Sequence, residues 1–63
     1  MFNYEFRVKV FSLSGEFLEV DHYSEWAESS EDAQMKIEDE ILPVYYQDMD
    51  DYEFEFELIN VTG

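Results

Sequence analysis

Cysteine is absent from this chain of 63 residues, which rules out a disulfide framework and any thiolate metal site. That fits a reducing compartment and points to the cytoplasm. Bases are nearly absent too, with three Lys and Arg against seventeen Asp and Glu, for a formal charge of −14. So negative a body is repelled by nucleic acid and by anionic membrane surfaces, so neither is expected as a direct partner. No apolar run approaches the roughly 18 residues that span a bilayer. Met1 to Val10 alternate polar with apolar and lack the continuous apolar centre of a signal peptide. There is no Gly-rich phosphate loop, nucleophile elbow or His-x-x-x-His pair. His22, the single histidine, has no motif tying it to a nucleophile and reads as a hydrogen-bonded residue at the edge of the core. Carboxylates are too numerous for any two to stand out as a general acid–base couple. No enzyme activity and no cofactor are expected.

What the chain does contain is apolar and aromatic residues, 46% and 19% of the total. Disordered acidic tails are poor in both, so this composition predicts a folded module. The charge is uneven. Met1 to Gly15 hold Arg7, Lys9 and one acid, Glu5, whereas Glu16 to Gly63 hold sixteen acids and one base, Lys36.

Residues 2–10 alternate, with Phe2, Tyr4, Phe6, Val8 and Val10 on one face and Asn3, Glu5, Arg7 and Lys9 on the other, which predicts a half-buried strand. Ser12-Leu13-Ser14-Gly15 is a turn, with Gly15 free to take positive φ. A second strand runs from about Phe17 to Ala27, with Leu18, Val20 and His22 inward, Glu19 and Asp21 outward, and a bulge near Tyr23 to Trp26. Ser29-Ser30-Glu31-Asp32 opens a helix with an apolar stripe at Ala33, Ile37 and Ile41, and Pro43 stops it near Leu42. A loop follows through Tyr45, Tyr46, Asp48 and Asp50. The last strand has Tyr52, Phe54, Phe56 and Leu58 inward and Glu53, Glu55 and Glu57 outward.

The order ββαβ, with a right-handed crossover, predicts a single α+β domain over residues 1–63. Its three-stranded sheet has the order 2-1-3, with the helix packed on one face. The core comprises Phe2, Tyr4, Phe6, Val8, Leu18, Val20, Ile37, Ile41, Phe54 and Phe56. Arg7 and Lys9 then lie between the acids of the second strand and those of the third, where opposed charges stabilise neighbouring strands.

Glu53, Glu55 and Glu57 project from one face at roughly 6.5–7 Å spacing. With Asp48, Asp50 and Asp51 before them and Glu19 and Asp21 across the sheet, they form a candidate phosphate-like track. The plainer alternative is a solvated strand face of an acidic or halophilic domain. Asp48-x-Asp50-Asp51-x-Glu53 lacks the turn glycine of a calcium loop, so no specific metal site is expected. Tyr23, Trp26, Tyr45 and Tyr46 are aromatics that the core does not clearly absorb. Trp26, Tyr45 and Tyr46 are candidate partner anchors, and an acidic rim around an aromatic centre would also suit a homodimer.

Ala27-Glu28-Ser29-Ser30-Glu31-Asp32-Ala33 resembles the strand-to-helix junction Ala-x-Ser/Thr-x-x-Asp/Glu-Ala of small ββαβ proteins, phage inhibitors of host RNA polymerase among them. The chain departs from those inhibitors on its third strand, where Glu53, Glu55 and Glu57 stand in place of arginines. In size and charge it also resembles the small acidic phage proteins that mimic DNA against restriction, CRISPR or repair enzymes. That resemblance implies a non-enzymatic inhibitor whose partner is a basic nucleic-acid-binding protein. The alternative is a protein-interaction module that uses a strand edge and exposed aromatics.

Overall fold

A computed structural model describes all 63 residues. Three strands, β1 (Phe2–Ser12), β2 (Phe17–Ala27) and β3 (Tyr52–Thr62), form one sheet in the order β2-β1-β3. β1 is antiparallel to both neighbours, so the two outer strands run parallel to each other. The α+β order and strand sequence agree with the pattern of the chain.

The β1–β2 hairpin closes on Ser12 to Glu16. The Gly15 amide donates to the Ser12 carbonyl at 2.9 Å, the Ser12 amide donates to the Glu16 carbonyl at 2.8 Å, and Gly15 takes a φ of 89°. Past this turn the register slips once. Phe11 faces Phe17 whereas Val10 faces Glu19, leaving Leu18 as the extra residue. This bulge lies at the opposite end of β2 from the expected one and reverses the phase of the strand. Glu19, Asp21, Tyr23, Glu25 and Ala27 share the face of Val10, Val8 and Phe6; Val20 and His22 share the face of Lys9 and Arg7. Leu18 and Val20 are therefore exposed and not in the core, and His22 is exposed opposite Arg7. The helix starts three residues after Ala27, so the β2 residues it covers are Ala27 and Tyr23.

Ser29 caps α1 (Ser30–Lys36), its hydroxyl accepting from the Asp32 amide at 3.2 Å. Such a cap contributes about 1 kcal/mol. Pro43 does not end the helical segment. A π turn (Ile37–Ile41) leads into a last α turn, α2 (Leu42–Tyr45), and the Leu42 amide reaches back five residues to the Ile37 carbonyl. In an unbroken α-helix the Pro43 ring would strike the carbonyl four residues earlier. Widening one turn avoids that clash, and it moves the third buried position from Ile41 to Leu42. Ala33, Ile37 and Leu42 are fully buried, and Ile41 is only half-buried.

The helix seals Phe6, Val8, Ala27, Ala33, Ile37 and Leu42, with Tyr4, Tyr23, Tyr46, Met49, Phe54 and Phe56 around them. Phe2, expected inside, is exposed. Only seven residues are buried, so the core is small even for a domain of this size.

Candidate polyanionic surface

The register sorts the carboxylates between two faces. On the open face of the sheet, Glu53, Glu55 and Glu57 stand opposite Phe11, Lys9 and Arg7 of β1. The Arg7 guanidinium donates to Glu57 at 2.7 Å, the single ion pair of the molecule. With Glu5, this face carries four acids and two bases. The glutamate row is regular, as expected, yet it is the part of the surface where charge is most compensated.

Glu19 and Asp21 do not continue that row. The phase of β2 sends them to the helix-bearing face, together with Glu25. Six more acids lie on the helical segment and its approach (Glu28, Glu31, Asp32, Glu38, Asp39, Glu40), and three on the return to β3 (Asp48, Asp50, Asp51). One base answers these twelve. It is Lys36, and its ammonium donates to the Trp26 carbonyl at 3.0 Å. Glu28, Asp32, Lys36, Asp39 and Glu40 surround an open depression of about 400 Å³ floored by Met1, Ala27 and Met35. The sequence marks the helical acids of this cluster only by their spacing, i, i+4 and i+11 from Glu28 to Asp32 and Asp39.

The candidate aromatics also separate. Trp26 is 51% exposed and sits on the open face opposite Asn3. Tyr45 is 68% exposed at the end of α2, with its ring 6.3 Å from that of Tyr23. Tyr46 is half-buried, edge-on to Tyr52 at 5.1 Å and to Phe54 at 5.3 Å, and so serves packing. Tyr23 is the best-defined member of the helix-side group. Burial pushes its phenol above the usual value, and Asp21, Tyr45 and Glu19 push it the same way. A neutral phenol, an exposed tyrosine and two carboxylates thus meet along the β2 edge. The Asp48–Asp51 segment forms a short 3₁₀ turn before β3, and no group of three or more His, Asp or Glu side chains converges to hold a metal ion.

No helix is long and apolar enough to cross a membrane. No protein-family model, curated protein or solved structure matches the chain.

Proposed function

We propose that this chain is a non-enzymatic inhibitor that imitates the phosphate backbone of a nucleic acid. It would fill the basic groove of a DNA- or RNA-handling enzyme, such as a restriction, CRISPR or repair protein, in the cytoplasm of a host cell. The observation that carries this reading is the helix-side surface, which holds twelve carboxylates and a single lysine, with none of the twelve in an ion pair. Acids placed for stability are paired or cap helices. Most of these are not, and their mutual repulsion costs folding free energy.

The dimensions support the same reading. The molecule extends 37 × 19 × 15 Å, so its fourteen net charges fall at about one per 2.6 Å of length. That lies between the roughly 1.7 Å of duplex DNA and the roughly 3.4 Å of a single strand. Glu19, Asp21, Glu25, Glu28, Asp32, Asp39 and Glu40 would take the phosphate positions, with Asp48, Asp50 and Asp51 at the far end. Tyr45 would add contact area beside Asp21. Glu53 and Glu55 would contribute from the opposite face, and Glu57 least, because Arg7 holds it.

The test is capture of nucleic-acid enzymes from a bacterial lysate on immobilised protein at low salt, followed by elution with duplex DNA. The reading expects bound enzymes to be released by DNA and by salt. Captured proteins that resist both would sink it. Release by neither, with binding lost on Trp26→Ala or Tyr45→Ala, would favour an interaction module built on the exposed aromatics.

A further inference from the structure

Both outer strands leave an edge unpaired, and the two edges differ. The β2 edge is guarded by Glu19, Asp21 and Glu25, and the Asp21 carboxylate already accepts from the His22 amide at 2.9 Å. A further acidic strand laid there would set carboxylate against carboxylate, a known defence of edge strands. β3 has acids only in its first half; Leu58 to Thr62 carry none. Leu58, Ile59 and Val61 are 43%, 37% and 45% exposed. Val61 lies beside Tyr4 on the helix-bearing face, and the Phe2 ring, edge-on to Tyr4 at 6.3 Å, extends that apolar corner. Asn60 and Thr62 lie on the open face beside Glu5 and Asn3.

We propose that the end of β3, centred on Asn60 to Thr62, is a self-pairing edge, joining two copies of the chain antiparallel about a two-fold axis at Val61. In that register Val61 meets Val61 of the second copy, and Asn60 meets Thr62, each pair on one face as the pleat requires. A one-residue slip would oppose residues of opposite faces. Val61 supplies an apolar contact on the axis, and the Asn60 and Thr62 side chains can each donate and accept, so the stretch complements itself.

Charge selects the same register. Glu57 lies four residues from the axis, which sets the two copies of it about 26 Å apart along the strands. The two Glu5 carboxylates would stand three strand spacings apart, about 14 Å, well beyond the Debye length of about 8 Å at physiological salt. The β1–β3 ladder shifts at Ile59, between the pairs Phe6–Leu58 and Glu5–Asn60, which sets this stretch apart from the glutamate row. The guarded β2 edge then stops the assembly at two copies.

Sedimentation of the whole chain at several concentrations, in about 0.05 M and about 1 M NaCl, tests the proposal. Each copy carries −14, so screening should tighten the dimer by about tenfold or more. Val61→Glu should abolish it at high salt with the fold intact by circular dichroism. Val20→Glu adds the same charge on the other outer strand and should leave it in place. A chain monomeric up to about 1 mM at high salt overturns the proposal and leaves the edge to a strand of another protein. A dimer indifferent to Val61→Glu overturns it as well. Salt would weaken groove binding and strengthen this contact, so the two readings fail separately.

Discussion

The two faces of the sheet draw on the same three strands and treat charge in opposite ways. On the open face Arg7 and Lys9 stand among glutamates, and one of those glutamates is held in an ion pair. On the helix-bearing side the carboxylates outnumber the bases twelve to one, and the lysine that remains is turned to a backbone carbonyl. The apolar contrast runs the other way. The helix side buries Ile37, Leu42 and Val8, whereas the open face leaves Phe17, Val20 and Trp26 exposed. Stability therefore resides beneath the helix, and the uncompensated charge lies around it.

The largest break in this comparison should come from the core. Ile37→Ala should cost about 3 kcal/mol in urea unfolding, enough to leave so small a domain largely unfolded. Val20→Ala on the open face should stay within about 0.5 kcal/mol. Similar losses at both positions would mean that the open face is covered.

Salt comes next. Screening relieves the repulsion around the helix, so the melting temperature should climb by about 5 °C or more between low salt and about 0.5 M. A flat response would show that the carboxylates are already compensated.

Alkaline pH separates the faces through one group. The Tyr23 phenol is raised by burial and by Asp21, so the folded chain holds its proton after the unfolded chain has lost it. Stability is then complete below the usual phenol value near 10 and declines as pH rises through the higher folded value. Tyr23→Phe should remove that part of the decline, read by denaturant titration at pH 9 and about pH 11. An unchanged slope would place Tyr23 in water.

The smallest effects are single charges. Arg7→Ala should destabilise by no more than about 1 kcal/mol, because its partner Glu57 is half-exposed. Asp39→Asn, on the helix side, should be neutral or stabilise by a few tenths of a kcal/mol. The opposite order would reverse the assignment of paired and unpaired faces.

Much of the fold was legible because period-two alternation in β1 and β3 is nearly unbroken and Ser29 marks the helix start. The phase of β2 was not. Leu18 and Val20 look like core residues by composition, but the bulge beside the hairpin turns them outward, and only the position of the helix shows that Tyr23 and Ala27 are the residues covered. Pro43 misled for a local reason: a π turn lets the helical segment pass it, which brings Leu42 inside and places Tyr45 on a helix. The site followed these errors. The Glu53–Glu55–Glu57 row follows from the alternation of β3 alone, whereas its continuation through Glu19 and Asp21 depends on the phase of β2, which the bulge reverses. The helical acids gain meaning only beside the β2 edge they flank.

We propose the helix-side carboxylates as the working surface, and neutralising them as a cluster is the decisive experiment. One variant converts Glu19, Asp21, Asp32 and Asp39 to their amides, and another converts Glu53, Glu55 and Glu57. Each is compared with the unaltered chain for competition with duplex DNA on a captured enzyme across a salt series. The helix-side variant should lose more affinity and more of the salt slope than the open-face variant. Equal binding by the helix-side variant and the unaltered chain would contradict the account.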